Sequence, residues 1–467
     1  RYHMDKLKAK AVVKPAREVP HLEIKLSEIV QAVNAGLNPG KPIINWFEGD
    51  PNGVAAVTIK GGQASVTNES VKFGGTIDGQ TVSDLKVVAY KGYQGGVYAD
   101  GAATDAVVDN AVIYCEDAGK GVGGPDTAVS ARNNASLTIR NSVIDTIGKN
   151  RFCTTAEYGA KLRVYDSLIY AHGIPYGEGY APVSGLMATP PPALEIGGNA
   201  RAHCTMTNSY SYFYNSKIIC EGWAALSTEG AEGFVYLEAN DCDVICTKSG
   251  YGAYADPDCH DYFNRCNFDI AAMAAIIAGE GDMTFNDCDV KCGSYFVLFH
   301  NVNGVPEEVG TMTVNGGTIH SKKDIALVKS QNTILDLKGC EVKADNGVLI
   351  HTILNDDPCR TIPNDHPYGN NVILTDMNVT GDCIHEDPER QMWIEHHSTI
   401  LNGAIQNANI SMDAGSKWYA TADSVVTLTE DVYINQIDAP DGVTIQATGG
   451  AAGTYELPGG GRLIITE

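Results

Sequence analysis

Two patterns of hydrophobic and polar positions run along this chain. Leu26-Ser27-Glu28-Ile29-Val30-Gln31-Ala32-Val33-Asn34-Ala35-Gly36 carries a helical spacing of apolar residues. Ser27 is placed to accept from the first free N–H groups and Gly36 to take the left-handed closing position, so the segment predicts a short helix. From about residue 55 the helical period is gone. Short runs of Val, Ile, Tyr and Thr alternate with Gly, Asn and Asp, which is the text of strands and turns.

That text repeats. A polar residue or Gly, a small residue, any residue and an aliphatic residue or Phe recur as Asn110-Ala111-Val112-Ile113, Asn141-Ser142-Val143-Ile144, Asp166-Ser167-Leu168-Ile169 and Asn215-Ser216-Lys217-Ile218. They continue as Asp241-Cys242-Asp243-Val244, Arg265-Cys266-Asn267-Phe268, Asp287-Cys288-Asp289-Val290, Gly316-Gly317-Thr318-Ile319 and Gly339-Cys340-Glu341-Val342. Successive small residues are 31, 25, 49, 26, 24, 22, 29 and 23 apart. Such a period means a solenoid of strand-bearing coils, each unable to bury its own apolar side. The gap of 49 is about two periods and predicts one disguised unit near residue 190. In register, the small residues form a ladder that permits tight bends, and the Cys members read as buried, reduced thiols acting as small apolar groups.

The coil period and these ladder residues resemble the right-handed parallel β-helix, the pectate-lyase-like superfamily, over residues of about 55–430. The resemblance implies an all-β fold, a right-handed parallel β-helix (solenoid) with a short N-terminal helical cap. The expected division is 1–54 for the N-terminal segment and cap, 55–430 for the β-helix and 431–467 for a C-terminal β cap. The superfamily implies lyase, hydrolase, transferase or epimerase activity on sugars, and fold alone does not choose among them.

A second strand per coil aligns without gaps, including Gly96–Asp100, Ala128–Arg132, Gly185–Thr189, Ala224–Thr228, Gly252–Asp256, Ala275–Gly279, Phe296–His300, Ile325–Lys329, Gly347–His351 and Gly381–His385. Four apolar or small positions precede a mostly polar fifth, so both strand faces are apolar and the outer one needs cover. A threefold assembly of subunits supplies it, which makes a homotrimer the expected partner state; the alternatives are cover by the N-terminal helix or by the chain's own 170–200 loop. The polar fifth row supplies candidate chemistry at the rim of a rigid sheet. Asp256 and Glu280 on adjacent coils would stand about 4.8 Å apart, a spacing that suits a retaining glycosidase pair and splits two carboxyl pKa values. His300, one coil on, suits proton transfer near neutral pH, and Lys329 or Arg132 a substrate carboxylate. The expected catalytic set is therefore Asp256, Glu280, His300 and Lys329, with Asp100, Arg132, Glu229, Tyr254 and His351 as substrate-binding residues. Tyr176 and Tyr180, in the long insertion 170–192, join them as rings for stacking on sugars. The plain structural readings are an Asp100–Arg132 ion pair, and Asp256 and Glu280 as solvated turn residues.

Composition narrows the classes. The net charge of −24 argues against nucleic acid and against an anionic membrane surface. No apolar run approaches the roughly 20 residues of a membrane span. Charged residues are 19% and hydrophobic ones 43%, which excludes a disordered chain. The 13 Cys form no CxxC, and Arg1-Tyr2-His3 reads as an addition before Met4 with no apolar leader after it, so a cytoplasmic location is expected, or secretion if a leader has been removed. No cofactor is expected. Asp256, Asp258 and Asp261, with His260 among them, offer oxygens to a hard cation such as Ca²⁺, and His366, His385, His396 and His397 offer nitrogens, with a Glu386 oxygen, to zinc, but the first spacing matches no EF-hand loop and the second set contains no HExxH, so no metal is assigned. The leading reading is a carbohydrate-active enzyme of glycan lyase or glycosidase/fructotransferase type working by general acid–base chemistry. The alternative is a non-catalytic glycan-binding or adhesive module.

Overall fold

The computed structural model describes residues 53–68, 74–119, 123–174, 199–230, 233–300, 308–355 and 369–467. The expected helix at Leu26–Gly36, Tyr176, Tyr180, Thr189 and His366 lie outside them. The described chain is all-β and mostly parallel, with a single 3-10 turn at Ile434–Gln436 among the described residues. It divides into two compact units, one of residues 1–181, 188–254 and 258–271, the other of 182–187, 255–257 and 272–467.

In the first unit each passage of the chain adds one strand to each of three parallel series. One series runs Asp105–Asp109, Ser136–Arg140, Lys161–Tyr165, Tyr210–Tyr214, Val235–Asn240 and Cys259–Asn264. The next runs Lys86–Ala89, Val112–Glu116, Val143–Ile147, Leu168–His172 and the start of Lys217–Glu229. The third runs Val54–Lys60, Gln94–Asp100, Val129–Arg132, Thr154–Glu157, Ala200–Met206 and the end of Lys217–Glu229. The second unit repeats the scheme, for example in Val309–Asn315, Asn332–Lys338, Asn370–Thr375 and Met392–His397. Antiparallel partners close both described ends, Gln63–Val66 on Val54–Lys60 and Gly453–Glu456 on Arg462–Thr466, which blunts exposed pairing edges.

The repeated tetrads are the corners between the first two series, and the reason is backbone conformation. Asn110, Asn141, Asp166, Asn215, Asp241, Arg265, Asp287, Gly316 and Gly339 all have positive φ, between 46° and 67°. Asn, Asp and Gly tolerate that region best. Arg265 (φ 53°) does not belong to that group, and its Nε donates to Asp241 Oδ1 of the preceding corner at 2.8 Å. The small residue that follows does more than permit a bend. Ser167 Oγ donates to the Tyr165 carbonyl at 2.7 Å and accepts from the Ser142 N–H at 3.1 Å. Ser142 and Ser216 repeat the pattern, and the Cys242 and Cys266 thiols donate in the same way to the carbonyls of Asn240 and Asn264. These Cys are therefore hydrogen-bonding ladder members rather than purely apolar fillers. Ser167→Ala removes both bonds at a buried site and is expected to cost about 2 kcal/mol in denaturant unfolding.

The gap of 49 is one coil with an insertion, not two coils. Leu168 pairs directly with Lys217, and the Ser167 N–H donates to Ser216 Oγ across that gap. The period alone could not distinguish a hidden repeat from a long loop. The second sequence ladder also skipped Thr154–Glu157 and Ala200–Met206, whose polar-rich text hides two members of the third series.

Candidate active site

The third series positions most of the sequence-derived candidates. In the second unit, Ala275, Ile276 and Ile277 face Val297, Leu298 and Phe299, and His300 faces Lys329. The Ala278 N–H donates to the Ala255 carbonyl at 2.8 Å, which in a parallel ladder sets Ala278 opposite Asp256. One column therefore reads Asp256, Ala278, His300, Lys329. It lies on the face of Leu327, whose register partner His351 is half-buried, so it is the outward face. At about 4.8 Å per step, Asp256 and His300 stand roughly 10 Å apart. In the register, Ala278 stands between them.

Asp256 is half-buried, Lys329 is 7% exposed and His300 is 0% exposed. His300 Nε2 lies 3.2 Å from Asn355 Nδ2, and the Asn355 N–H donates to Ser330 Oγ at 2.8 Å. An amide that donates to Nε2 makes that nitrogen the acceptor and leaves the proton on Nδ1. Withdrawal from water strengthens the interaction of Lys329 with any charge that develops beside it.

Glu280 is not in this column. The chain turns at Gly279 (φ 61°), and Glu280 is exposed beyond the turn. The sequence alignment paired Gly279 with His300, whereas the register pairs Ala278 with it; a one-residue slip displaced the expected acid. The carboxylate that does approach is Glu308. A Cβ on Gly279 would collide with it, and Gln331 Nε2 donates to the Gly279 carbonyl at 2.8 Å. Glu308 and Gln331 lie outside the repeat text, so no sequence signal marked them.

His351 occupies the neighbouring column. It faces Leu327 rather than Lys329, because Val348–Ile353 is a six-residue strand and the assumed five-residue frame slipped by two. Its Nε2 lies 2.9 Å from Glu386 Oε2, and its Nδ1 lies 3.9 Å from Asp324 Oδ2. Burial pushes the Asp324 carboxyl up, against the lowering influence of Asn346 and His351.

The first unit holds Asp100, Arg132, Glu229 and Tyr254 in other surroundings. Lys60, Asp100, Arg132 and Glu157 are successive register partners of alternating sign. Asp100 and Arg132 are neighbours as expected, yet Asp100 bonds Lys60 at 2.9 Å and Asn133 at 2.7 Å, while Arg132 pairs with Glu157 and lies 5.0 Å from the Tyr158 ring. Burial acts to raise the Asp100 pKa, but the bonds from Lys60 and Asn133 and the Lys60 charge hold it below the usual range. Burial raises Glu157 despite Arg132. Glu229 pairs with Arg201, whose guanidinium lies between Phe152 and Trp223, 4.7 and 4.6 Å from the ring centres. Tyr254 is 1% exposed with its ring on Tyr251, so it offers no face to a sugar. The strand text showed its position but not that its outer side is covered.

The outward apolar residues Ile276, Leu298 and Leu327 are at most 5% exposed within one chain, so their cover does not require a second subunit. Among the described residues no three His, Cys, Asp or Glu side chains converge as for a metal ion. Strand alternation explains one case: Asp261 is buried and accepts from Thr228 Oγ1 at 2.8 Å, whereas the neighbouring His260 stacks on Phe234. No helix among the described residues is long and apolar enough to cross a membrane. No family model matches the chain, and no curated protein matches its sequence.

Proposed function

We propose that this chain is a right-handed parallel β-helix of the pectate-lyase-like kind and a carbohydrate-active enzyme of glycan lyase or glycosidase/transferase type. The right hand follows the general preference of crossovers between parallel strands. Asp256, His300 and Lys329 carry the chemistry. The observation that supports the reading is the single column these three residues share, with a proton carrier and a cation adjacent and a carboxylate two steps away. His300, which carries its proton on Nδ1 when Asn355 donates to Nε2, serves as general acid from that nitrogen and as general base once that proton has been given up. Lys329 balances negative charge that forms on the sugar, and Asp256, at the half-buried end, orients hydroxyls or exchanges the second proton.

The test is turnover of defined neutral and uronate-containing oligosaccharides, read as new reducing ends or as ultraviolet absorbance of an unsaturated product. Asp256→Asn and His300→Gln are expected to lower turnover by about 100-fold or more, the usual range for general acid–base groups, with an unchanged melting curve. Glu280→Gln is expected to leave turnover unaltered. Full activity in both column variants overturns the assignment. A parent protein that turns over none of the panel overturns the enzymatic reading in favour of a binding module.

A further inference from the structure

The second unit carries a groove unrelated to the column. It has a volume of about 500 Å³ and lies on the outward side of the series Asn332–Lys338, Asn370–Thr375, Met392–His397 and Ile405–Met412. Ile334, Asn371, Trp393 and Asn409 are successive register partners and form one line of its floor. Glu395 and Ser411, partners in the parallel line two residues on, form the other. All six are half-buried. The volume falls within the range of small-molecule sites.

The lining combines one indole with groups that hydrogen-bond. The Asn371 amide and the Ser411 hydroxyl make no side-chain hydrogen bond with other described residues. Glu395 is engaged on one oxygen, Oε2, by His397 at 3.1 Å. Asn409 Nδ2 is engaged by the Met392 carbonyl at 3.1 Å. Trp393 is the one tryptophan among the described residues that is not fully buried, since Trp223 and Trp418 are 0% exposed. A purely apolar ligand would strip water from Asn371, Ser411 and Glu395 and return nothing. An anion would meet Glu395 and the nearby Asp336, whose carboxyl burial and the Glu395 charge both raise. A quaternary ammonium would leave the amide and hydroxyl unused. A pyranose ring satisfies all of them, with C–H groups against the indole and hydroxyls on the amide, hydroxyl and carboxylate.

We propose that this groove is a binding site for a neutral sugar ring, stacked on Trp393 and hydrogen-bonded by Asn371, Glu395 and Ser411. It is separate from the Asp256 column and does not depend on catalysis there.

The experiment titrates the full chain with neutral gluco-, galacto-, manno- and fructo-oligosaccharides while following tryptophan fluorescence and its quenching by acrylamide. Calorimetry runs in parallel, and oligogalacturonate and choline serve as comparison ligands. At least one neutral oligosaccharide should bind and reduce acrylamide quenching in the parent, a reduction that Trp393→Ala should not show. Trp393→Ala should weaken binding at least tenfold and Asn371→Ala several-fold, both with the parent's melting temperature. In Asp256→Asn the saturable shielding of Trp393 from acrylamide should persist, whatever becomes of binding at the column, which separates the two sites. If Trp393→Ala lowers the melting temperature, the Asn371→Ala affinity decides. The proposal is overturned if no neutral oligosaccharide binds, if only oligogalacturonate or choline does, or if Trp393→Ala and Asn371→Ala bind like the parent.

Discussion

Acidification from pH 6.5 towards pH 4 is expected to cost stability steeply, and two buried histidines carry the effect. His203, inside the first unit, is 0% exposed. Its Nε2 lies 2.6 Å from Thr205 Oγ1, which donates onward to Ser211 Oγ at 2.7 Å, and its Nδ1 lies 2.8 Å from Thr154 Oγ1. That chain makes Nε2 the protonated nitrogen and Nδ1 an acceptor, so the neutral ring is fully used. Burial lowers its pKa from 6.5 to about 3. In the second unit, His396 is 0% exposed and its Nδ1 lies 2.9 Å from the Ser411 carbonyl, while Nε2 meets no hydrogen-bond partner among the described residues; burial lowers it to about 4.

The sign follows from proton counting. Below pH 6.5 the unfolded chain protonates both rings and the folded chain neither, so unfolding takes up protons. The stability is complete above 6.5 and is lost as pH falls through the folded values. Near pH 5 unfolding takes up close to two protons, so the slope is between about 2 and 3 kcal/mol per pH unit, and the full contributions are roughly 5 kcal/mol for His203 and 3 kcal/mol for His396. Asp145, Glu157 and Asp324, raised by burial, act in the opposite direction as pH falls from their raised values to the ordinary ones of 3.8 for Asp and 4.5 for Glu, and so offset part of the loss within the same range. Denaturant unfolding at several pH values measures the slope, and His203→Gln should remove about half of it near pH 5. The imidazole resonances of both residues should show no titration down to pH 5. A parent-like slope in His203→Gln, or ordinary titration of either ring, refutes the account.

How far the sequence revealed this molecule depends on what each residue's neighbours in the chain could disclose. The corners were legible because left-handed backbone restricts residue choice, so Asn141, Asp166 and Asp241 betray it in plain text. Register was legible only where successive strands keep one length. It held for Asp100 with Arg132 and for His300 with Lys329, and it slipped at Gly279, where a turn intervenes, and at Val348–Ile353, where the strand is longer. The groups that complete the column were illegible for a different reason. Glu308, Gln331 and Asn355 reach it from segments that carry no repeat, and only the stacking of coils brings them there.

Arg151 is the strongest instance of a residue whose text misleads, and its removal should be among the costliest single changes in the first unit. Gly148-Lys149-Asn150-Arg151 reads as a solvated turn, yet Arg151 is 1% exposed. Its guanidinium donates to four backbone carbonyls, those of Gly92 at 2.8 Å, Lys91 at 3.1 Å, Gln94 and Asp126. These lie where earlier coils pass from the second series to the third; the Lys91 carbonyl also accepts from the Gln94 N–H at 2.9 Å. A rigid fork of donors suits the task, because one planar group reaches several divergent acceptors with little loss of rotamer freedom. Arg151→Met keeps most of the volume and takes their side-chain donor from the carbonyls of Gly92, Gln94 and Asp126, while that of Lys91 keeps the Gln94 N–H. At about 1–3 kcal/mol for each unsatisfied buried group, and with part of the loss recovered by entering water, the expected cost is about 4 kcal/mol or more. Arg151→Lys keeps the charge but loses the fork, and should fall between the two. Denaturant unfolding of the three proteins measures the series. A cost below about 1 kcal/mol for Arg151→Met would mean that the corners hold themselves. A lysine variant as stable as the parent would mean that charge, rather than the spread of the donors, is what these carbonyls require.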